Sequence, residues 1–498
     1  MIKRIAQAWA FASILLLPNY ADLTSGAGDA RMRSPVPLTG IALAQFTDQA
    51  IVALAFFLLL EILRRLAAWP KLRWGLMAAL PVLLFARNLD VMPIDIPPLA
   101  VLIGGLAWAC ILLFLILRLP KFAVQLSRAG SSLLAGFAIF ALVMTFQLVR
   151  ATLWQPGPQA FSHPIPVPAP NRPRLVWLLF DELADDPVFE HRDPSLHLPN
   201  FDRLRAETTL YTDVTPIAYR TTRAVPSLLL GRIVTDVTYT ADNRYLVQFS
   251  DTSGWKPFDP RATLFGAAKQ YGLTTSLVGW YVAYCPILVD VATDCYWSNA
   301  DAQDRGPTST SATFGQNVWF PLRILFEQAF APHRAWDDVS LWNAEGHIAA
   351  VKDLRAHELD TVATSQADIL YLHIPAPHPP GFWDRRALVF APGGSYLDSL
   401  DYSDRLLGQI LDELKKQPRW AETTLIVHGD HSWRTRMWRP LPGWSAEDER
   451  VSRGGHWDSR PLLLIHSPGQ QSPQTVDAPT SIMLVHDTVA KWITSAHP

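Results

Sequence analysis

The chain has 498 residues, a formal net charge of −2 and a charged-residue content of 18%. This charge content is low for a soluble protein, and a near-neutral chain without a basic, aromatic-rich stripe is not typical of a nucleic-acid-binding protein. The shortage of charge lies in residues 1–150, where apolar runs alternate with short basic loops. The composition therefore predicts a membrane region followed by a more polar region.

Apolar runs near the N-terminus predict a transmembrane region of four or five helices over residues 1–152. The longest of these runs reach the length that crosses a bilayer. The first run follows Lys3 and Arg4 and is typical of either a first span or the apolar part of a cleaved signal peptide. The runs lie at 5–17, 44–62, 75–88, 98–117 and 133–149.

Loop charges predict the orientation of these helices. The loops 63–73 and 118–130 are rich in Lys and Arg, whereas the loop 88–97 contains neither. The positive-inside rule places the two basic loops in the cytoplasm, so the chain after residue 150 lies outside it. Five spans, or four spans after a cleaved signal, give the same result. We therefore expect a multi-pass protein of the cell (inner) membrane.

Beyond the membrane region, the sequence predicts a linker and one large domain. Residues 153–173 are rich in proline, which favours an extended and semi-rigid spacer. Residues 174–498 are long enough for a single domain outside the cytoplasm. In that domain Cys285 and Cys295 are expected to form a disulfide, because an exported domain meets an oxidising compartment. The alternative is a pair of buried free thiols.

Strand and helix signals alternate along residues 174–498. Short apolar runs rich in β-branched residues are typical of buried parallel strands, and glycine-terminated or amphipathic stretches between them indicate helices. We therefore expect an all-α transmembrane bundle followed by an α/β domain with a mainly parallel central sheet. The strand candidates are 175–180, 274–278, 369–374, 424–428 and 461–466.

Two of these strands end in acidic residues. Asp181 and Glu182 follow the first strand, and Asp430 and His431 follow the strand that ends at Gly429. Because ligands of open α/β sheets bind at the carboxyl ends of the strands, the two pairs are expected to meet at one site. Carboxylate and imidazole together suit zinc or manganese. The sequence therefore predicts a divalent-metal site.

The order of these motifs resembles the sulfatase-like branch of the alkaline phosphatase superfamily. The resemblance covers residues 174–490, from the acidic strand end to the last strand and its Pro468-Gly469. With the membrane region added, the chain is similar to membrane-bound phosphoethanolamine and phosphoglycerol transferases. The resemblance implies that Asp181, Asp430 and His431 bind the metal. Glu182 is implied as a further ligand, although such transferases usually keep only one acid at this position.

The resemblance also implies the nucleophile. Sulfatases that hydrolyse sulfate esters use a Cys or Ser that is converted to formylglycine, and this chain lacks their motif. The transferases use an unmodified Thr with a Pro five residues later, which matches Thr221 and Pro226. Direct contact with a metal would activate this hydroxyl. Thr222 is the alternative, because the alignment of this loop can slip by one residue.

The remaining implied site residues are basic. His378, in a His-Pro stretch, is expected to donate a hydrogen bond or a proton to the substrate, and His456 lies at another family position for a site His or Lys. Arg223 and Arg434 are expected to bind phosphate. His373 and His428, which lie inside apolar strands, are expected to be structural.

Three functions are compatible with this sequence. The first is a transferase that moves a phospho-head-group from a phospholipid or another phosphoester donor to an envelope glycan or lipid acceptor through a covalent Thr221 intermediate. The second is a membrane-anchored hydrolase of phosphodiesters or sulfate esters. The third is a non-enzymatic envelope protein with a degenerate site, which the conjunction of Asp181, Thr221, Asp430 and His431 disfavours.

Overall fold

The computed structural model describes residues 1–24, 37–66, 69–88, 98–167, 172–240, 244–298, 312–330 and 332–496. Contacts divide the chain into two compact units. Among the described residues, the first unit is formed by Met1–Gly26, Pro37–Gln155 and Arg305–Val339, and the second by Pro156–Asp304 and Ser340–Pro498. The predicted catalytic domain, 174–498, thus contains a segment that packs with the N-terminal helices.

The secondary structure alternates between helices and strands only after residue 159. The helices are α1 (Ile2–Thr24), α2 (Thr39–Arg65), α3 (Trp69–Arg87), α4 (Pro98–Arg118), α5 (Pro120–Gly136), α6 (Ala138–Thr152), α7 (Pro199–Arg205), α8 (Thr221–Leu230), α9 (Leu264–Gln270), α10 (Tyr284–Leu288), α11 (Phe314–Phe330), α12 (Pro332–Thr364), α13 (Tyr396–Lys415), α14 (Thr435–Trp438), α15 (Ala446–Val451) and α16 (Leu484–Ser495). The strands are β1 (Ala160–Ser162), β2 (Arg174–Phe180), β3 (Thr209–Tyr211), β4 (Val214–Thr215), β5 (Val234–Tyr239), β6 (Tyr245–Phe249), β7 (Lys256–Pro257), β8 (Thr275–Trp280), β9 (Asp294–Ser298), β10 (Ile369–Ile374), β11 (Trp383–Asp384), β12 (Val389–Phe390), β13 (Thr423–Gly429), β14 (Leu463–His466), β15 (Gln474–Val476) and β16 (Thr480–Ser481).

The first unit is a helical bundle. Within the described residues, the helical stretches long and apolar enough to cross a membrane are Thr39–Arg65, Leu99–Arg118 and Pro120–Thr152, and Trp74–Arg87 is a shorter apolar helix. Large apolar side chains on these helices are exposed, as expected for surfaces that face lipid. The bundle indicates that the protein associates with a membrane. The number of spans and their orientation stay predictions.

Helix α11 belongs to this bundle although it lies far along the chain. It packs against α2, and Leu325 contacts the small apolar core around Ile41 and Met144. Its opposite side exposes Trp319, Phe326 and Phe330. The segment therefore carries an apolar face on both sides, which is unusual for a helix in a water-soluble domain.

The second unit is built on a nine-stranded sheet with the order β1-β9-β8-β10-β2-β13-β14-β3-β15. The strands β9, β8, β10, β2 and β13 run parallel to one another, and β14 is antiparallel to both of its neighbours. This confirms the predicted α/β domain with a mainly parallel sheet. Strand β1 lies within the predicted linker and pairs with β9, so part of that segment is an edge of the sheet.

Helices cover both faces of the sheet, which explains the continuous apolar runs in the sequence. Alternate residues of β2 point to opposite faces: Val176 and Leu178 pack in the core under α13, whereas Leu175 and Trp177 pack in the core under α8, α9 and α16. All seven residues of β2 are buried, and the six from Leu175 to Phe180 are apolar, because a strand that is covered on both faces has no side facing water.

Short sequence patterns mark the ends of two helices and a disulfide in the second unit. Helix α8 ends at Gly231, whose φ of 64° is the left-handed conformation that favours glycine. Helix α13 begins with a capping box between Ser395 and Asp398. A disulfide joins Cys285 and Cys295, as the sequence predicts. The bond connects α10 to β9 beside the parallel strands.

Candidate metal centre and nucleophile

Three neighbouring parallel strands deliver polar side chains to one edge of the sheet. Strand β2 lies between β10 and β13, and Phe180 is in register with Gly429. The residues that follow these two positions, Asp181 and Asp430, therefore emerge side by side. His373 lies near the end of β10, on the other side of β2. The predicted meeting of two acidic strand ends is thus observed.

Asp181, Asp430 and His431 form the centre of this site. One ligand atom from each of them lies within 4.8 Å of the other two, which is close enough for one metal ion. The Nε2 atom of His431 lies 3.8 Å from Oδ1 of Asp181 and 3.3 Å from Oδ2 of Asp430. All three side chains are fully buried. We call these three residues the ligand cluster.

Thr221 extends the ligand cluster with a hydroxyl. It is the first residue of α8, and its Oγ1 lies 3.2 Å from Oδ2 of Asp181 and 3.4 Å from Nε2 of His431. Helix α8 presents its N-terminal end here, where the helix dipole favours negative charge. A hydroxyl at this position can share a metal with the cluster and face an anionic group at the same time.

The electrostatics of the ligand cluster favour a cation. Burial, followed by the charge of Asp430, raises the pKa of the Asp181 carboxyl well above its usual value, and Arg434 opposes that shift. Burial lowers the pKa of His431 to about 3, so its imidazole is neutral. Two buried carboxyl groups beside a neutral imidazole lack a compensating positive charge in direct contact, which is the arrangement that metal binding relieves.

Buried polar atoms without a hydrogen-bond partner at the ligand cluster also indicate a metal site. Among the described residues, Oδ2 of Asp430 and Nε2 of His373 are buried without a hydrogen-bond partner. Nε2 of His373 lies 3.7 Å from Oδ2 of Asp181, so both unpartnered atoms border the cluster. Buried polar atoms rarely stay unpartnered in folded proteins. The donor set of carboxylates, imidazole and hydroxyl fits zinc or manganese.

Glu182, predicted as a further metal ligand, is not brought into the cluster. Its carboxylate accepts hydrogen bonds from Nε of Arg434 and, at 2.7 Å, from Nε1 of Trp438. Its backbone oxygen accepts a third bond from the hydroxyl of Tyr396. The backbone of Glu182 has a positive φ of 68°, which is uncommon for a residue other than glycine. The Glu182 carboxylate is therefore an anchor for Arg434.

Arg434 connects this anchor to His378. The guanidinium Nη2 donates to Nε2 of His378 at 3.1 Å, and Nδ1 of His378 donates to the backbone oxygen of Pro379. Burial lowers the pKa of His378 well below its usual value, with Arg434 as the next cause. In this arrangement Nε2 of His378 accepts a hydrogen bond. A donor role toward substrate, which remains a prediction, requires that Arg434 first release this nitrogen and that the nitrogen take up a proton.

The other predicted residues lie outside the ligand cluster. Arg223 pairs with Asp236 at 3.3 Å and is partly exposed. His456 is exposed and directly follows the turn at 452–455. Thr222 follows Thr221 on α8 and is half-buried, whereas the hydroxyl of Thr221 reaches the cluster. The geometry therefore favours Thr221 over Thr222, and roles for Arg223 and His456 stay predictions.

The two histidines interpreted as structural differ from each other. His428 accepts a hydrogen bond from Nε1 of Trp177 at 2.7 Å on the core side of β13, as expected for a structural residue. His373 instead borders the cluster while its Nδ1 contacts the hydroxyl of Tyr284 at 2.8 Å. Its place near the end of a parallel strand, beside the strand that leads to Asp181, is the sequence signal that could have identified it.

Comparison with known proteins agrees with this architecture. The sequence model of the family described as Sulfatase matches residues 173–495. No protein with a curated description matches the sequence. The solved structures with a distant likeness include Ps i-CgsB in complex with k-i-k-neocarrahexaose, the phosphonate monoester hydrolase of Agrobacterium radiobacter, and a protein in the alkaline phosphatase superfamily from Vibrio parahaemolyticus.

These likenesses are weak in sequence and in shape. The identities are 15%, 13% and 16%, and the TM-scores are 0.42, 0.38 and 0.35, in the order given. Each alignment covers 65% of this chain, and 72%, 74% and 66% of the respective structure. At this level they carry no argument about substrate. The match to the family model spans most of the chain, and on that basis this protein belongs to the sulfatase family.

Proposed function

We propose that this protein is a metal-dependent membrane transferase that moves a phospho-head-group, phosphoethanolamine or phosphoglycerol, from a lipid donor to an envelope acceptor. The observation that carries the proposal is the hydroxyl of Thr221, which lies 3.2 Å from Asp181 and 3.4 Å from His431. An unmodified threonine at the nucleophile position suits phosphoryl transfer, because its hydroxyl can form and later break a phosphoester bond. The helical bundle adds access to lipid.

In the first step, the Thr221 oxygen attacks the phosphorus of the donor. The new phosphorus–oxygen bond forms as the bond to the lipid alcohol breaks, which leaves a phosphothreonine diester on α8. The Thr221 proton passes first to Oδ2 of Asp181, the nearest carboxylate atom, and then to the departing alkoxide. A divalent metal held by Asp181, Thr221, Asp430 and His431 would lower the pKa of the hydroxyl and offset developing negative charge.

In the second step, an acceptor hydroxyl attacks the same phosphorus and releases Thr221. Asp181 takes up the proton of the acceptor hydroxyl and passes it to the departing Thr221 oxygen, so the enzyme is restored without a change in charge. Arg434, which the buried Glu182 holds in place, contributes a fixed positive charge at the edge of the site. The predicted partners are thus a phospholipid donor, a hydroxyl-bearing glycan or lipid acceptor, and the membrane.

Membership in the sulfatase family favours a second candidate, a membrane-anchored hydrolase. The same residues can act with water as the acceptor in the second step. Phosphodiesters are then better substrates than sulfate esters, because the chain has Thr221 where formylglycine enzymes have Cys or Ser. The two candidates differ only in the molecule that accepts the phospho-head-group from Thr221, which is an envelope hydroxyl in the transferase and water in the hydrolase.

The test uses the full chain with vesicles whose phospholipid head groups are isotopically labelled. A transferase releases diacylglycerol slowly in water and faster when an acceptor lipid with free hydroxyls is added, and Thr221→Ala abolishes both rates. Thr222→Ala is the matched control and retains most of the activity. Rapid release of a water-soluble head-group phosphate, at a rate that does not depend on the acceptor lipid, would instead establish the hydrolase. An equal loss of activity in Thr221→Ala and Thr222→Ala would contradict the assignment of Thr221 as the nucleophile.

A further inference from the structure

One face of α2 carries three amide or acidic side chains in the interior of the bundle. Gln45, Asp48 and Gln49 are spaced three and four residues apart, so they are neighbours on the helix surface. Each of them has no measurable exposure to solvent. On the α1 side, Nε2 of Gln49 donates to the hydroxyl of Ser13. We call these three residues the α2 polar site.

The polar atoms of this site are largely unpartnered. Within the described residues, both carboxylate oxygens of Asp48, both amide atoms of Gln45 and Oε1 of Gln49 have no hydrogen-bond partner. These atoms comprise four acceptors and one donor. A buried polar atom without a partner is costly in water-soluble proteins and at least as costly in a membrane-spanning bundle. Such a concentration on one helix face indicates that a ligand completes the site.

The site lies in one half of the bundle. At 1.5 Å per residue, Gln45 to Gln49 begin about 9 Å and end about 15 Å along the axis from the start of α2 at Thr39. The hydroxyl of Thr39 bonds the backbone oxygen of Thr152, so the first residue of α2 adjoins the last residue of α6. Residue 156, where the second unit begins, follows that point closely. The site therefore lies two to three helical turns inside the end at which the chain leaves the bundle.

We propose that the α2 polar site binds a primary ammonium group, and that an aminophospholipid head group supplies it. An ammonium carries one positive charge and three N–H donors, which complement the Asp48 carboxylate and the amide oxygens of Gln45 and Gln49. A divalent metal ion is a poorer match, because it needs more oxygen ligands and more negative charge than one carboxylate and two amides provide.

The surroundings of the site favour a lipid over a soluble amine. The residues of α2 that flank the site on the exposed side are large and apolar, namely Leu43, Phe46 and Ile51. A ligand that reaches Asp48 between the helices thus passes apolar side chains, which suits an amphiphile. The inference does not depend on the proposed function, since it concerns residues of the first unit only.

The experiment measures how short-chain lipids shift the thermal unfolding of the full chain in detergent. Thr221→Ala is present throughout, which prevents turnover at the ligand cluster. Dioctanoyl phosphatidylethanolamine should raise the unfolding temperature, and Asp48→Asn should weaken its apparent affinity at least about tenfold, as expected for loss of a charge-assisted hydrogen bond. Dioctanoyl phosphatidylcholine, whose nitrogen has no N–H donor, should give a much smaller shift. Glu61→Gln, on the same helix but paired with Arg4 and Arg64, is the matched control.

Stability without lipid separates a ligand site from a structural role. Asp48→Asn should unfold at the same or a higher temperature than the parent, because it removes an unpaired buried charge. Gln45→Leu is a second variant that should weaken the lipid response with Asp48 intact. A shift by free ethanolamine at the same affinity would confirm the ammonium site with a soluble source. Equal responses of Asp48→Asn and its parent, or equal shifts with both lipids, would overturn the proposal.

Discussion

The substitution Glu182→Gln separates the two roles considered for this residue. In the structure, Glu182 is fully buried and pairs with Arg434, whose side chain is only 17% exposed. Glutamine keeps the shape and one acceptor oxygen for Trp438 but leaves the guanidinium without its counter-charge. Removing one partner of a buried pair costs about 3 to 5 kcal/mol, and we expect about 3 kcal/mol here because one hydrogen bond survives.

The assay combines thermal unfolding with metal analysis. About 3 kcal/mol corresponds to a fall of roughly 6 °C in the unfolding temperature of a domain of this size. The metal content of Glu182→Gln, measured by elemental mass spectrometry, should equal that of the parent. Asp430→Asn is the comparison variant and should lose the metal. If Glu182→Gln loses the metal and keeps its stability, Glu182 is a ligand and our account of the Arg434 anchor is wrong.

Three further predictions concern stability and the membrane. Replacing both Cys285 and Cys295 with Ser should destabilise the second unit by about 3 kcal/mol, because the short loop that the disulfide closes gains freedom when unfolded; no change in unfolding temperature would contradict this. Burial raises the pKa of Glu358 from 4.5 to about 8, so its contribution to stability is fully present below pH 4.5 and is lost as the pH rises to about 8. In Glu358→Gln, the loss of thermal stability between pH 5 and pH 8 should be smaller by this contribution. A loss of stability equal to that of the parent would contradict the prediction. A spin label can be attached to Phe326→Cys once the free Cys110 is replaced with Ala. The label should collide more often with oxygen than with a water-soluble nickel chelate, because Phe326 is 66% exposed on α11 in the helical bundle. More frequent collisions with the nickel chelate would place α11 in water.

Much of the fold could be predicted because buried parallel strands leave a strong sequence signal. Leu175 to Phe180 of β2 and Leu425 to Val427 of β13 are apolar, since both faces are covered, and the acidic residues that follow these strands mark the edge of the sheet. The short helix that ends at Gly231 was indicated by a polar loop before it and the glycine after it. In each case a short local pattern contains the information, so no knowledge of distant contacts is needed.

The features that the sequence did not reveal depend on backbone conformation or on distant contacts. Glu182 follows Asp181 directly, and only the contact with Arg434, which is distant in the sequence, shows that its carboxylate holds that guanidinium. Helix α11 is too short for a span and contains Arg323 and Glu327, so its apolar faces were not recognised. Strand β1 pairs with β9, which is far along the chain, and a proline-rich segment gives no local sign of such pairing.

The central claim is that Thr221 forms a covalent phosphoester during catalysis. The most direct measurement purifies the full chain from a phospholipid-containing envelope, quenches it with acid, and maps the peptide around residues 216–232 by mass spectrometry. Our account predicts a phosphoethanolamine or phosphoglycerol adduct on Thr221, which disappears in Asp430→Asn and persists in Thr222→Ala. An unmodified Thr221 in a metal-loaded protein that is turning over its donor, or an adduct on Thr222, would contradict it.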